Sequence, residues 1–177
     1  MAENNQVLQT IAQRRSVRRF AQQTVSDQQI DILLEAGRLS PSGLNNQPWR
    51  FAVVRQQELK TKFAQLTNYQ AIITSAPVLV VVLLDTTSLY HREKDIQSVG
   101  ACLQNILLAA HSLQLGAVWL GEILKNGPQV VELLQLPAQY ELMAVVAVGH
   151  PAPDYQPKPA VRKPLADLIL YRDPCDG

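Results

Sequence analysis

The stretch at residues 95–116 restricts the fold most, because its apolar side chains surround a helix rather than lining one side of it. Apolar residues recur with helical spacing from Ile96 to Leu115, but they cover much more than one stripe. A helix with this pattern has to be covered on both sides. The chain has 177 residues, which suits a single domain, so we expect a partner subunit to supply the second cover. Gly116 is a suitable C′ residue for this helix.

A continuous apolar run rich in β-branched residues at 78–84, closed by Asp85, predicts a central strand covered on both faces. Further strands are predicted at residues 49–55, 117–120 and 142–148. Strands and helices alternate only loosely along the chain. We therefore predict one α+β domain over residues 1–177 rather than a doubly wound nucleotide fold.

Local signals place two of the shorter helices. Asn4 or Asn5 is expected to cap a first helix. Ser26 and Gln29 have the spacing of a capping box and predict the start of a second. Gly37 follows in that helix, where it either admits a close neighbour or marks the helix end.

Composition excludes several classes of protein. A net charge of +1 and a pI of about 7.8 give no electrostatic case for nucleic acid as a partner. No apolar run is long enough to span a membrane, and the polar first ten residues do not predict a signal peptide. Cys102 and Cys175 form no disulfide framework, which predicts a cytoplasmic location. Charged residues are only 18% of the chain, which favours burying surface in a subunit interface.

Several common catalytic and cofactor motifs are absent from the sequence. It contains no G-x-G-x-x-G, no G-x-x-x-x-G-K-[ST] and no G-x-S-x-G. His91, His111 and His150 lie far apart, with no carboxylate or cysteine at ligand spacing. We therefore expect no metal site.

Residues 14–19, here called the arginine segment, read RRSVRR and concentrate four of the chain's 16 basic residues. Guanidinium groups with a serine hydroxyl and free backbone N–H groups suit a phosphate or carboxylate. A solvated basic loop is the alternative interpretation. Nucleic-acid binding is disfavoured, because no aromatic residues are interleaved with the arginines.

Three more polar sites are separated by apolar elements. Residues 40–47, here called the turn segment, read SPSGLNNQ and are rich in turn formers. Gly121 and Glu122 follow a predicted strand, and Arg162 lies in the tail, residues 151–177. Five prolines between residues 151 and 164 predict an extended arm, and its apolar end at 165–171 needs a surface to cover it.

Taken together, these motifs resemble the FMN-dependent nitroreductase family. R-R-S-x-R-x-F followed by S-P-S-G-x-N-N-Q-P-W carries most of the resemblance. Gln104-Asn105 leading through Gly116 into A-V-W-L-G, and the tail P-A-V-R-K-P-L, are similar to further parts of that family. The resemblance extends from about residue 11 to residue 168.

The resemblance implies an intertwined homodimer with FMN at the subunit interface. The sheet would be mixed or antiparallel, flanked by helices around the long buried helix, and the tail would pack on the partner subunit. The implied FMN contacts are Arg14, Arg15, Ser16, Arg18 and Arg162 for the phosphate and ribityl chain, Pro41, Ser42, Gly43 and Asn45 of the other subunit for the ring, and Leu120, Gly121 and Gln70 at the ring edge, with Glu122 beside them. Arg19 and Phe20 are expected to be structural.

The resemblance also implies the chemistry. NADH or NADPH would reduce FMN, and a nitroaromatic, a quinone or a similar small acceptor would then take the electrons in a ping-pong cycle. We nominate no catalytic residue, because the flavin carries the chemistry.

Family members of typical length have a helical lid where this chain has only residues 86–94, so a more open pocket is expected. Alternatives are another flavin reaction (oxygen-dependent flavin cleavage, dehalogenation or dehydrogenation) or a flavin carrier or sensor without turnover.

Overall fold

The fold is built on one antiparallel sheet, seen in a computed structural model that describes residues 5–157 and 159–173. The strands of these residues are β1 (Trp49–Val54), β2 (Val78–Asp85), β3 (Gly116–Leu120) and β4 (Tyr140–Gly149). Their order in the sheet is β1-β2-β4-β3, and every neighbouring pair is antiparallel. The prediction of an α+β fold is confirmed, and the sheet within the described chain is antiparallel rather than mixed.

Helices cover both faces of the sheet. They are α1 (Gln6–Gln13), α2 (Asp27–Arg38), α3 (Gln57–Ala64), α4 (Gln70–Ser75), α5 (Arg92–Ser112) and α6 (Gly127–Leu133). One core contains apolar residues of α3, α4 and α6, and the other contains those of α2 and α5. All residues of β2 are buried between these cores, as its continuous apolar run predicts.

The predicted helix starts are found in the structure. The Asn5 side chain accepts hydrogen bonds from the backbone N–H groups of Val7 and Leu8, and Asn4 lies outside the described residues. Ser26 and Gln29 form the predicted capping box. Gly37 does admit a close neighbour, since a Cβ there would lie 3.0 Å from Cys102 Sγ of α5. The short helix α4 was not predicted, and it has no side-chain cap.

The expected ends of α5 were wrong. The helix starts at Arg92, three residues before the expected start, and ends at Ser112. Gln114 takes the left-handed backbone conformation after it, with φ of 59°, and Gly116 is instead the first residue of β3. A Cβ on Gly116 would lie 2.6 Å from Cβ of Val17, so this glycine lets the arginine segment pack directly against β3.

Candidate functional site

The arginine segment contacts β3 through an isolated bridge outside the strands of the sheet. Ser16 forms a parallel bridge with Ala117, and the Val17 N–H donates to the Ala117 carbonyl over 3.1 Å. Val17 and Phe20 are buried in the core, which confirms the structural role expected for Phe20. These buried side chains anchor the segment, while Arg18 and Arg19 remain exposed.

The tail returns over this segment after β4. The Ala21 N–H donates to the His150 carbonyl and the Ala152 N–H to the Arg19 carbonyl. The Tyr155 hydroxyl then donates to the Ser16 carbonyl over 2.8 Å. These contacts explain how a residue as distant in sequence as Arg162 reaches the arginine segment.

The segment and the tail enclose a cavity of about 900 Å³, here called the arginine cavity. Its lining includes five of the residues implied by the resemblance: Arg14, Arg15, Ser16, Arg18 and Arg162. Arg19 is in an ion pair with Asp154, at 2.6 Å, which confirms its expected structural role. Within residues 5–157 and 159–173, the four other arginines have no carboxylate partner.

The positive charges of the arginine cavity act on one another. Burial lowers the pKa of Arg14, and the charges of Arg162 and Arg15 lower it further. Burial also lowers the pKa of His111 near the end of α5, with smaller contributions from Arg14 and Arg15. An anion placed among these guanidinium groups would relieve their repulsion and accept charge-assisted hydrogen bonds.

The turn segment is held by α5. Asn105 Nδ2 donates to Ser40 Oγ over 2.8 Å and to the Ala36 carbonyl over 3.2 Å. Asn46 Nδ2 donates to the Ser88 carbonyl over 2.6 Å. Inside the segment, Leu44, Asn45 and Gln47 have φ values of 53°, 55° and 50°, a left-handed conformation that L residues seldom adopt.

Pro41, Ser42 and Gly43 line a second cavity of about 330 Å³, here called the turn cavity. Its remaining lining residues belong to α5: Lys94, Gln97, Ser98 and Ala101. Asn45 is exposed on the same segment. The turn cavity and the arginine cavity have no lining residue in common, so the single chain does not combine the two groups of predicted contacts in one cavity.

The third group of predicted FMN contacts includes Leu120 and Gly121, which lie at the end of β3. The Leu120 side chain is buried in the core, which leaves only its backbone for a ligand, whereas Gly121 is exposed. Glu122 accepts hydrogen bonds from the Thr67 hydroxyl, the Asn68 backbone and side chain, and Lys125. Lys125 contributes most to lowering the pKa of Glu122, which falls to about 2.

Sequence reasoning missed several residues of this site. Asn68, rather than Gln70, is hydrogen-bonded to Glu122 beside Gly121, while Gln70 is exposed at the first position of α4. Thr67 and Tyr155 were also missed. No sequence spacing marks these residues, because their partners lie 55 and 139 positions away.

The described residues include no group of three or more His, Cys, Asp or Glu side chains placed to hold a metal ion. Within the same ranges, no helix has the length and apolar character needed to cross a membrane. The arrangement is instead suited to holding an anionic ligand by guanidinium groups and backbone donors.

Comparison with known proteins agrees with this geometry. The family profile described as "Nitroreductase family" matches residues 11–70 and 64–150. A crystal structure from Desulfovibrio desulfuricans, described as a nitroreductase in complex with FMN, is 46% identical with a TM-score of 0.90, over 96% of this chain and 98% of that one. The Bacillus subtilis FMN reductase, named as using NAD(P)H, is 30% identical over 173 residues, 88% of this chain and 70% of the relative. The Vibrio harveyi NADPH:FMN oxidoreductase complexed with NAD⁺ is 27% identical with a TM-score of 0.85, over 97% of this chain and 79% of that one.

Proposed function

The chain belongs to the nitroreductase family, and we propose that it is an FMN-dependent NAD(P)H oxidoreductase that holds the flavin phosphate in its arginine cavity. The observation that carries this proposal is the cavity's set of four arginines without carboxylate partners among the described residues. Unpaired guanidinium groups in a partly buried cavity are expected to have an anionic ligand. The phosphate dianion of FMN has the required charge and acceptor oxygens.

Each of the predicted residues in the arginine cavity would make its own contact with FMN. Arg14 and Arg162 would hold the phosphate, since their charges already act on one another across the cavity. Arg15 and Arg18 would add guanidinium donors, and Ser16 a hydroxyl. Ser16 and Tyr155 also join the segment to the tail, which fixes the distance between the two sources of charge.

The end of β3 would lie at the edge of the flavin ring. Ser16 pairs with Ala117, and Gly121 lies four residues further on, roughly 13 Å along the strand at 3.3 Å per residue. This separation suits a ribityl chain between a phosphate and a ring. When bound, FMN supplies the hydride chemistry that connects NAD(P)H with an electron acceptor. The exposed backbone of Gly121 and the side chain of Gln70 would contact the ring edge.

The turn segment would complete the ring site of a second copy of the chain. It lines a different cavity from the arginine segment, so Pro41, Ser42, Gly43 and Asn45 would meet the flavin of a partner subunit. A homodimer is also supported by apolar surface that the single chain leaves exposed. No residue of α1 is buried, and Val7 is 64% exposed.

The tail supports the same assembly. Its apolar residues Leu165, Leu168, Leu170 and Tyr171 are all exposed, and Leu170 is 98% exposed. Burying such side chains on a partner would stabilise a dimer by roughly 1.5–3 kcal/mol for each one that becomes fully covered. The tail would therefore place Arg162 in the arginine cavity of the same chain, and the apolar end of the tail would pack on the other subunit.

We propose a cytoplasmic location because Cys102 is a free thiol. Cys102 is buried and free, and burial raises the pKa of its thiol to about 12. An unreactive free thiol is typical of proteins from a reducing compartment. Cys175 lies outside the described residues.

The visible spectrum of the purified protein tests the proposed function. We expect a yellow protein, with the flavin absorption bleached by NADH or NADPH without oxygen and restored by a nitroaromatic or a quinone. A protein that stays colourless after incubation with FMN would contradict the proposal. A yellow protein that neither nucleotide bleaches would instead indicate a flavin carrier or sensor.

A further inference from the structure

Tyr90 lies against the turn segment. It belongs to the connection between β2 and α5, and a Cβ built on Gly43 would lie 3.0 Å from its Cδ1 and 3.1 Å from its Cε1. The tyrosine nevertheless remains 46% exposed. An aromatic ring is therefore presented to solvent directly beside the segment proposed to contact the flavin ring.

Lys94 adds a positive charge to this ring. It lies four residues after Tyr90, in the first turn of α5, and its Nζ is 5.1 Å from the centroid of the Tyr90 ring, within the range of a cation–π contact. Lys94 also lines the turn cavity together with Pro41, Ser42 and Gly43. Lys94 Nζ donates a hydrogen bond to the Tyr90 hydroxyl over 3.4 Å. In the part of the chain that the structure describes, Lys94 forms no ion pair, so no carboxylate neutralises its charge.

A buried carboxylate fixes the position of this pair. Asp95 is fully buried and accepts hydrogen bonds from the backbone N–H groups of Tyr90, at 2.9 Å, and His91, at 3.0 Å. Asn46 of the turn segment donates to the same carboxylate over 3.4 Å and to the Ser88 carbonyl over 2.6 Å. The connection and the turn segment are thus held as one unit, which lowers the entropy lost when a ligand binds.

We propose that Tyr90 and Lys94 recognise the electron acceptor, and that they favour a planar aromatic acceptor that carries an anionic group. The ring of Tyr90 offers a surface for stacking, and Lys94 offers the charge for a carboxylate or similar group. This inference rests on the proposed function, because it assigns these residues to the acceptor of the flavin site.

Two acceptors with the same nitroaromatic ring, one anionic and one neutral, test the inference: 4-nitrobenzoate and its methyl ester. For the FMN-loaded protein we expect a lower KM for the anion. Lys94→Gln should raise the KM for the anion roughly threefold to tenfold and leave the KM for the ester unchanged. Lys94→Arg should retain the preference. Tyr90→Leu should raise both KM values, whereas Tyr90→Phe should retain them.

Binding of redox-inert analogues gives a readout that is independent of turnover. The dissociation constants of benzoate and benzamide, measured by calorimetry on the oxidised FMN-loaded protein, should differ in the wild type and become similar in Lys94→Gln. Lys62→Gln is the matched control, because Lys62 is an exposed lysine of α3 that lines neither the turn cavity nor the arginine cavity.

The outcomes separate this inference from the proposed function. A protein that takes up FMN and is bleached by NADH or NADPH, but shows no loss of anion preference in Lys94→Gln, would overturn the inference and leave the proposed function intact. A protein that takes up no FMN would overturn both. Equal effects of Lys94→Gln and Lys62→Gln would also overturn the inference, because they would show a general effect of surface charge.

Discussion

The arginine segment and the turn segment are both fixed by contacts from distant parts of the chain, but only the arginine segment is also covered by another part of the same chain. It is packed against β3 and covered by the tail, which brings Arg162 to it. The turn segment is held from one side by Asn105 and Asp95 of α5. Its other side carries Leu44, which is 80% exposed.

This difference separates what one chain can bind from what requires two. The arginine cavity has its charges, its anchoring core residues and its cover within a single chain, so we expect it to bind an anion without a partner subunit. The turn cavity is smaller, at about 330 Å³, and among the described residues it is lined by the turn segment and α5. The phosphate site is therefore expected to be a property of the subunit, and the ring site a property of the dimer.

Loss of the phosphate contacts is expected to have the largest effect. Arg14→Ala and Arg162→Ala should each raise the dissociation constant of FMN roughly tenfold to a hundredfold, since a hydrogen bond to a charged group contributes about 1.5–3 kcal/mol. Riboflavin, which lacks the phosphate, should bind the variants and the wild type alike. Quenching of flavin fluorescence during titration measures both constants.

Arg38→Ala is the control for these variants, because Arg38 is an exposed arginine paired with Glu35 on α2. It should bind FMN as the wild type does. An equal loss of FMN and riboflavin affinity in Arg14→Ala would contradict a phosphate contact and indicate a general disturbance of the site.

Two truncations test whether the phosphate site depends on the subunit alone while the ring site depends on the dimer. Ending the chain after Pro164 removes the exposed apolar residues at 165–171 but keeps Arg162, so it should lower the dimer fraction while the phosphate contacts remain. Ending it after Ala160 removes Arg162 as well, and FMN affinity should fall further. Light scattering after gel filtration measures the dimer, and flavin titration the affinity. A chain ending at Ala160 that remains dimeric and yellow would contradict the role given to the tail.

The elements that sequence predicted correctly are those with local or periodic signals. The central strand and the capping box of Ser26 and Gln29 both depend on residue type and spacing along the chain. The arginine segment and Arg162 were connected only through the family resemblance, since they lie more than a hundred residues apart. The structure supplies the physical connection through Tyr155 and Ser16.

The errors have a common physical origin in tertiary contacts. Gly116 was expected to end a helix, because glycine is common at C′, but its small size is needed for contact with Val17. Thr67 and Asn68 were not identified, because only the folded chain places their hydrogen-bond donors next to Glu122. The short helix α4 lacks the side-chain cap that would announce it in the sequence.

Gly116→Ala should have an intermediate effect. The added Cβ would lie 2.6 Å from Val17 Cβ, and overpacking of this kind costs about 1–3 kcal/mol of unfolding free energy. Because the arginine segment must move to relieve the contact, FMN affinity should fall with stability. Urea denaturation and flavin titration measure the two effects.

A second substitution tests whether the contact with Val17 causes the loss of FMN affinity in Gly116→Ala. Val17→Gly removes both the Cβ and the methyl groups that the new Cβ would meet, so the double variant should recover FMN affinity relative to Gly116→Ala alone. Gly127→Ala is the control, because a Cβ there would lie at an ordinary contact distance of 3.4 Å from Leu142. A double variant that binds FMN no better than Gly116→Ala would contradict the packing of the arginine segment on β3.

The smallest effect is expected from the Glu122 carboxylate, which joins the end of β3 to the Thr67 hydroxyl and to the backbone and side chain of Asn68. The pKa of Glu122 is lowered from an ordinary value of 4.5 to about 2, mainly by hydrogen bonds from Lys125 and then Thr67. A lowered pKa in the folded chain stabilises it above the unfolded value, and this contribution is lost as the pH falls toward the folded value. Thermal unfolding should therefore show the wild type losing its advantage over Glu122→Gln between roughly pH 5 and pH 2.

Glu132→Gln, which alters an exposed glutamate without an ion pair among the described residues, should leave the pH profile unchanged. If the difference between the wild type and Glu122→Gln stays constant over this range, the carboxylate does not hold the end of β3, and Gly121 must be positioned by the strand alone.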